Sequence, residues 1–555
     1  MIEPIRSVLQ RLAPDRTHRQ PDFGNYEAVL DAISSEANKI ASRRSGNGMI
    51  VLQGPSFSIY GPSYVLDRLL CDALRLRRVR VVPVYCDGLQ SIECNCFGGL
   101  WGGGKSFADN CQFCVRRSRQ LWHPNPEPAI RLSEYLTETT HFTAVDRAAS
   151  IGDDTWMEYE EDGMPLGRWA KDILVNNWLV GDFRLVPECE RLGRAHLRNL
   201  ILLSTAYRHV LETVQPDRVV ANDSYYGMWA ILAELCRRKG IPFYAHWPVS
   251  QTRVVFAAND APMNLNFRAA WPTFSSLPLV EEQRAKVDAW LNQLSGAREL
   301  MINTASILAH QNVSFDLEQM DHSKPTALLP ANVIWDLAAL NKQIIFADMI
   351  DWIVQTISWF RVHPQFQLII KAHPAEQNPK IPETRERVEI ALRDRGITLP
   401  SNVFLLVPKV RLTVYDLMPL ARVGLVHTTS VGFEMAARGL LVLTTGQAPY
   451  RGFGFTIDPT NADEYFFLLE RSLSGEAKID LVQQVDLAYK FILFYQFHYY
   501  TRLGLFESEW GKPPVINIAS AEELLPGRNP HLDYVVDSIL QGLPIVSETR
   551  WPPMS

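Results

Sequence analysis

The chain has 555 residues, of which 47% are hydrophobic and 21% charged, and its formal net charge is −6. This length exceeds what one hydrophobic core supports, so we expect two or three domains, and the acidic balance gives no support to a general nucleic-acid binder. No run of about 18 uncharged apolar residues predicts a membrane span. Residues 1–20 lack the apolar core of a signal peptide. We therefore expect a cytoplasmic protein whose cysteines are thiols or metal ligands.

Short apolar runs alternate with amphipathic stretches through the first half of the chain. Each alternation predicts a strand, a covering helix and a second strand, which together form the βαβ unit of a parallel sheet. The predicted strands are residues 49–53, 79–86, 216–223 and 241–247, and the predicted helices are residues 64–76 and 226–240. Gly240 is a helix-ending residue at the close of the second helix. Between these units, residues 90–190 are predicted to form a less regular insertion.

That insertion contains a cluster of cysteines. Cys94 and Cys96 form one chelating pair and Cys111 and Cys114 another, and Cys86 is an alternative ligand. Four thiolates suit a tetrahedral Zn²⁺, which would hold a weakly specified loop together. We predict a structural zinc here, with free thiols as the main alternative and an iron–sulfur cluster or disulfides after them. No redox cofactor is expected.

A second series of strands and helices follows a predicted helical linker at residues 280–320. Its predicted strands are residues 326–332, 366–374, 403–408, 423–429 and 440–446, with helices after the first and fourth. Two Rossmann-like, doubly wound α/β series in tandem are typical of the GT-B architecture of nucleotide-sugar glycosyltransferases, in which two domains face each other across a cleft. The predicted domains are residues 1–279 on the acceptor side, residues 321–475 for the nucleotide sugar, and C-terminal helices at residues 476–555 that pack back.

The stretch QLIIKAHPAEQNP, residues 367–379, runs from a buried strand directly into polar groups. Lys371 and His373 alternate along the strand end and so face the same side, and Pro374 ends the strand. Together with Glu376, they stand where ligands bind in an open α/β sheet, at the carboxyl end of a strand. A cation, an imidazole and a rigid turn suit a nucleotide phosphate. The alternative is a structural histidine packed at the strand end.

A second polar cluster follows the strand that ends near residue 426. His427, Thr428, Thr429 and Ser430 precede a predicted helix, and Glu434 lies one turn into it. Hydroxyls and free backbone N–H groups at a helix N-terminus bind phosphate. Alone, Thr429 or Ser430 is equally well explained as a helix cap. Together with the Lys371–Glu376 cluster, the pattern favours one phosphate site.

An inverting sugar transfer needs a base that deprotonates the acceptor hydroxyl. Asp223 follows the predicted strand of the first half and lies in a suitable place. Asn222 and Ser224 flank it and are suited to orient an acceptor. The alternative is that Asp223 caps the following helix, and Asp336 is a second candidate for the base.

The segments LIIKAHPAE, HTTSVGFEMAARG, QAPYRGFGFT and VDLAYKFILFYQFHYY carry a family resemblance. Residues 320–505 resemble bacterial capsule and surface-polysaccharide biosynthesis proteins, GT-B enzymes that include the Kdo transferases using CMP-Kdo. The resemblance implies that His373 contacts the donor phosphate, that Glu434 reaches ribose or sugar hydroxyls, and that Lys371 stands where arginine is more usual. It implies that Thr428, Thr429 and Ser430 also hold the phosphate.

These observations predict a glycosyltransferase that moves a sugar from a nucleotide donor, such as CMP-Kdo or a related CMP-sugar, to a glycan or lipid-linked glycan. The alternative is a GT-B relative that is non-catalytic or differently catalytic, such as a nucleotide-sugar epimerase or a binding component of capsule assembly. Residues 488–506 are rich in aromatic side chains. They suit either peripheral contact with the inner membrane or a core helix, and we favour the core.

Overall fold

The structure is a computed structural model. It describes residues 26–43, 48–250, 252–295, 311–336, 339–379, 381–477, 479–509 and 512–555. Residues 1–20, for which we expect no signal peptide, lie outside the described residues, and so does the middle of the predicted linker. No described helix is long and apolar enough to cross a membrane.

The strands form two large sheets and one small one. In chain order the strands are β1 (Ile50–Gln53), β2 (Arg80–Tyr85), β3 (Ile130–Arg131), β4 (Arg218–Ala221), β5 (Phe243–Ser250), β6 (Arg253–Ala258), β7 (Thr326–Pro330), β8 (Gln367–Lys371), β9 (Val403–Leu406), β10 (Val423–Val426), β11 (Leu441–Thr444), β12 (Tyr500–Arg502), β13 (Phe506–Glu507) and β14 (Val515–Ile516). A seven-stranded sheet has the order β12-β6-β5-β4-β1-β2-β3, and a five-stranded sheet has the order β11-β10-β7-β8-β9. The third sheet pairs β13 with β14.

The two large sheets share one winding pattern. Strands β5-β4-β1-β2-β3 are mutually parallel, as are all five strands of the other sheet. Among the five parallel strands of each sheet, the first in chain order lies at the centre, the second and third lie on one side of it, and the fourth and fifth lie on the other. The winding therefore reverses between β1 and β4 and between β7 and β10, and such switch points are where open α/β sheets bind ligands. The predicted α/β class with mainly parallel sheets is confirmed.

Helices connect and cover these strands. They are α1 (Tyr26–Ala41), α2 (Gly61–Leu76), α3 (Phe107–Trp122), α4 (Glu138–Ser150), α5 (Leu166–Trp178), α6 (Cys189–Val214), α7 (Gly227–Lys239), α8 (Trp271–Ser276), α9 (Glu281–Ser295), α10 (Met349–Val362), α11 (Val388–Asp394), α12 (Val414–Leu417), α13 (Val431–Ala437), α14 (Ala462–Ser474), α15 (Leu481–Phe494) and α16 (Pro530–Gln541). Gly240 ends α7 with a φ of 67°, as its position in the sequence predicts.

Three helices, α3, α4 and α5, lie within residues 90–190, the range of the predicted less regular insertion. Side chains explain why two of these helices begin where they do. Ser106 accepts a hydrogen bond from the Asp109 N–H at the start of α3. Thr137 and Thr140 form a reciprocal capping box at the start of α4.

The C-terminal segment returns to the seven-stranded sheet. Helix α15 is part of the core, where Phe491 and Phe494 are fully buried, so the core interpretation of the aromatic segment is confirmed. Strand β12 then pairs antiparallel with β6, which places Tyr500 opposite Val255. Hydrogen bonds also join the elements around the two large sheets: Glu386 Oε2 accepts from the Gly181 and Asp182 N–H groups.

Candidate functional site at the two switch points

His373 follows β8 and is held in a defined tautomer. Its Nδ1 accepts a hydrogen bond from the Ala375 N–H at 3.1 Å, which leaves the proton on Nε2. Burial, and then the nearby Lys371 ammonium, lower the pKa of His373 to about 4. At neutral pH this imidazole is therefore a neutral hydrogen-bond donor through Nε2.

Lys371 lies beside His373, but its amine has other partners. The Nζ donates to the Val407 and Val410 carbonyls at 3.2 and 3.3 Å, and the residue is 3% exposed. Burial lowers its pKa to about 8. The lysine thus braces the loop after β9, and contact with the donor stays a prediction.

Glu376 is fully buried in the turn after His373. Its Oε1 accepts from the N–H of Val388, the first residue of α11, at 3.2 Å. Burial raises its pKa to about 8, so the carboxyl is largely protonated at neutral pH. The described contact is with α11, and donor binding by Glu376 is likewise still a prediction.

A hydrogen bond spans the switch point of the five-stranded sheet. Asn332, just after β7, donates from Nδ2 to Thr428 Oγ1, just after β10, at 3.3 Å. Its Oδ1 accepts from the Val333 N–H at 2.9 Å, which fixes the orientation of the amide. Sequence reasoning missed Asn332; the available signal was a polar residue directly after the strand that opens the second series.

His427 lies directly after β10 and precedes Thr428. It is 2% exposed, its Nδ1 is 3.1 Å from Thr445 Oγ1, and its ring stacks on Trp352 with centroids 5.7 Å apart. Burial lowers the pKa of His427 to about 4, so this buried ring is neutral at neutral pH.

Thr429 and Ser430 begin the turn into α13. The Thr429 carbonyl accepts from the Tyr450 hydroxyl at 2.6 Å. Ser430 is exposed and occupies the cap position of α13, but its side chain makes no capping bond. The alternative in which Ser430 only caps this helix is therefore wrong. Helix α13 has just seven residues, so hydroxyls rather than a helix dipole are the relevant groups.

Glu434 points to a neighbouring tyrosine. The Tyr415 hydroxyl donates to Glu434 Oε2 at 2.8 Å, and burial raises the pKa of Glu434 to about 7. A contact with ribose stays a prediction.

Asp223 lies at the switch point of the seven-stranded sheet, directly after β4. Its Oδ1 accepts from the Ser224 N–H at 2.7 Å and the Tyr225 N–H at 3.3 Å. Helix α7 begins four residues later, with Tyr226 at its cap position, so Asp223 holds the turn and does not cap the helix. Burial, with a contribution from the carboxylate of Asp336, raises its pKa to about 6.

Hydrogen bonds join the two halves of the chain close to Asp223. Asp336 belongs to the segment after β7, and the same segment contacts helices of the first half. Asn341 donates to Asp172 Oδ2 at 2.8 Å and to the Tyr225 hydroxyl at 2.9 Å. The two candidate bases named from the sequence therefore lie near each other.

The segment after β2 that contains Cys86, Cys94 and Cys96, with Cys111 and Cys114 in the following helix α3, is called the cysteine loop. Cys94 Sγ accepts from the Phe97 N–H at 3.3 Å, and a hydrogen bond from the Cys96 thiol lowers the pKa of Cys94 while raising that of Cys96. Cys86, Cys111 and Cys114 interact electrostatically with this pair. In the part of the chain that the structure describes, no group of three or more His, Cys, Asp or Glu is placed to hold a metal ion. The zinc site stays a prediction.

The chain matches no protein-family model and no curated protein sequence. Among solved structures it is similar to the KpsC beta Kdo 2,4 transferase of Thermosulfurimonas dismutans, with 11% identity, a TM-score of 0.32, and coverage of 56% of this chain and 87% of that one. The UDP-GlcNAc 2-epimerase of Neisseria meningitidis bound to UDP-GlcNAc shows 11% identity, a TM-score of 0.25, and coverage of 80% and 98%. MurG of Acinetobacter baumannii shows 10% identity, a TM-score of 0.26, and coverage of 89% and 99%. Similarities this low establish no function for the chain.

Proposed function

We propose that the chain is a GT-B glycosyltransferase that moves a sugar from a nucleotide donor to a bacterial surface glycan. The donor is CMP-Kdo or a related CMP-sugar, and the reaction takes place in the cytoplasm, at or near the inner membrane. The observation that carries the proposal is the pair of hydrogen bonds from Asn341, in the segment after β7, to Asp172 and to Tyr225, which lies two residues after Asp223 at the other switch point. It brings a candidate base near the edge that carries the phosphate-binding candidates.

Asp223 is suited to deprotonate the acceptor. General bases work best when their pKa lies near the operating pH, and burial has raised this pKa to about 6. At pH 7 to 8 the group is mostly ionised and accepts a proton from the attacking hydroxyl. Its Oδ1 is fixed by backbone N–H groups, which holds the carboxylate in one orientation.

The five-stranded sheet supplies neutral donors for the departing phosphate. The Nε2–H of His373 and the hydroxyls of Thr428 and Ser430 are groups that stabilise negative charge when they are already in place. A phosphate in contact with His373 also favours the imidazolium, because it offsets the burial that now lowers the imidazole pKa.

The decisive test separates the capping role of His373 from its chemical role. His373→Asn keeps a side-chain acceptor for the Ala375 N–H, since Asn is a good N-cap residue, but removes the imidazole. We expect kcat to fall by about 10²-fold or more, with a smaller change in donor affinity and an unchanged Tm. His373→Ala should match it in kcat and lose about 1 kcal/mol of stability as well.

The donor is identified first by thermal shift with CMP, CDP, UDP, GDP and TDP, because a ligand that binds only the native state raises Tm. Transfer is then measured with the matching sugar nucleotide and a glycan acceptor. Normal turnover in His373→Asn would contradict the proposed role of His373. Epimerised donor without any transfer would favour the epimerase alternative.

A further inference from the structure

Two neighbouring strands of the seven-stranded sheet, β1 and β4, end side by side, and the adjacent β5 continues past them to Ser250. Gln53 of β1 pairs with Val220 of β4, and Ala221 pairs with Ala245 of β5. The Gly54 N–H continues the ladder to the Val220 carbonyl at 2.7 Å. Following this register past the last pairs brings residue 56, residues 222–223 and residue 247 to one level at the carboxyl edge.

Three half-buried aromatic side chains form a layer there. We call Phe57, Tyr60 and Trp247 the aromatic platform. The ring of Trp247 stacks against Phe57 and Tyr60, with centroids 6.0 and 5.8 Å apart. The buried Trp229 supports Phe57 at 6.1 Å and is itself fixed by a 2.7 Å hydrogen bond from Nε1 to the Pro55 carbonyl. The platform is therefore rigid.

Two buried polar atoms beside the platform have no hydrogen-bond partner among the described residues. They are Ser56 Oγ and Asn222 Nδ2, on residues that are 7% and 0% exposed. The amide orientation of Asn222 is fixed, because its Oδ1 accepts from the Phe57 N–H at 2.6 Å. Buried polar groups of this kind are paired in folded proteins, so each of these two atoms has a hydrogen bond free for a ligand hydroxyl or an ordered water.

We propose that the aromatic platform, Ser56 and Asn222 form a subsite for one sugar ring of the acceptor glycan. The inference rests on the proposed function, since it places a sugar hydroxyl next to Asp223. The apolar C–H face of the ring packs on the platform, and hydroxyls bond to Ser56 Oγ and Asn222 Nδ2. A few convergent polar groups in an aromatic setting are the usual composition of a small-molecule site.

Charge favours a sugar over a nucleotide at this edge. Strand register places Asp223 at the level of Ser56 and Trp247, and an ionised carboxylate there repels a phosphate in a partly buried setting. A neutral, hydroxyl-rich ring meets no such penalty.

Saturation-transfer NMR with maltotriose, cellotriose and chitotriose tests the subsite without requiring turnover. We expect at least one trisaccharide to bind the full chain, and binding to be lost in Trp247→Leu. Trp359→Leu is the matched control, because Trp359 is also half-buried but packs on Phe366 near the five-stranded sheet. It should bind normally.

Ser56→Ala is the sharper variant, because it removes a buried hydroxyl that has no partner. We expect its Tm to be unchanged or higher, while the trisaccharide Kd rises by about two- to tenfold. Equal Kd in Ser56→Ala and the parent chain would mean that a buried water meets this hydroxyl, and would overturn the proposal.

Two further results would overturn it: no binding of any of the three trisaccharides, or loss of CMP binding in Trp247→Leu. The proposed function fails differently. If the subsite binds a trisaccharide but no sugar nucleotide supports transfer, the glycosyltransferase proposal falls and the subsite stands.

Discussion

The switch points of the two large sheets have the same backbone layout and opposite chemistry. At the seven-stranded sheet the strand ends carry the carboxylate of Asp223 and an aromatic layer. At the five-stranded sheet they carry the neutral imidazole of His373 and the hydroxyls of Thr428 and Ser430. Winding order therefore decides where a ligand binds, whereas the residues that follow each strand decide which ligand binds.

Burial acts in opposite directions at the two edges. It raises the pKa of Asp223 to about 6 and lowers that of His373 to about 4, because it disfavours the charged form of both groups. At pH 7 to 8 the Asp223 carboxylate is mostly ionised and accepts protons, while the His373 imidazole is neutral and donates a hydrogen bond. This difference suits an acceptor on one side and a phosphate leaving group on the other.

Replacing the Asp223 carboxylate should have the largest effect on kcat. We expect Asp223→Asn to lower kcat by about 10²- to 10⁴-fold, since a positioned base contributes that much. In the parent chain kcat/KM should rise with pH through about 6 as Asp223 ionises, and the variant should lack that limb. Asp146→Asn, an exposed position on α4, is the control.

A measurement of stability distinguishes a fall in kcat caused by loss of the base from one caused by unfolding. The folded-state pKa of Asp223 is raised, so the folded chain binds this proton more tightly than the unfolded chain does. The contribution of Asp223 to the free energy of unfolding therefore falls as pH rises toward and through about 6. At pH 8, Asp223→Asn should therefore be at least as stable as the parent. A variant that is stable and fully active would remove Asp223 as the base.

The cysteine loop is a second difference between the edges, because it follows β2 and all eight cysteines of the chain lie between residues 71 and 236, before the first strand of the other sheet. If four of the thiols bind zinc, elemental analysis should find about one Zn per chain, and a chelator should lower Tm. Cys114→Ser should reproduce that fall in Tm, and Cys189→Ser, which lies on α6, should not. Metal-free protein with an unchanged Tm would leave the thiols free.

Removing the Ser430 hydroxyl, at the edge of the five-stranded sheet, should have a smaller effect, and on donor binding rather than on kcat. Ser430 is exposed and makes no capping bond, so Ser430→Ala should leave Tm unchanged while the donor Kd rises by about two- to tenfold. Ser358→Ala on α10 is the control, because its exposed hydroxyl bonds only to its own helix, at Val354. An unchanged Kd in Ser430→Ala would place the phosphate elsewhere.

The strands and their polar ends were predictable from local pattern, because buried parallel strands are short apolar runs and the residues after them are visibly polar. His373 and Asp223 stand out in that way. What each side chain bonds to was not predictable. Lys371 has two carbonyl partners on the loop after β9, and Asn332 bonds to Thr428 across 96 residues of sequence. Such pairings depend on strand order, which no local pattern encodes.

Glu434 should show the smallest effect of all. Its Oε2 accepts from the Tyr415 hydroxyl at 2.8 Å, and its pKa of about 7 means that the carboxyl is already partly protonated at neutral pH. Gln has the same shape and can accept the same bond, so Glu434→Gln should change donor Kd by less than about threefold. If Glu434 instead bonds to ribose hydroxyls through an ionised carboxylate, Kd should rise by about tenfold or more, since hydrogen bonds to charged groups contribute about 1.5–3 kcal/mol.

Tyr415→Phe is the control for this measurement. It removes the hydrogen-bond partner of Glu434 but none of the residues proposed to bind the donor, so it should lower Tm and leave the donor Kd unchanged. A large rise in donor Kd in Glu434→Gln, with no change in donor Kd in Tyr415→Phe, would mean that Glu434 contacts the donor and does more than stabilise α13.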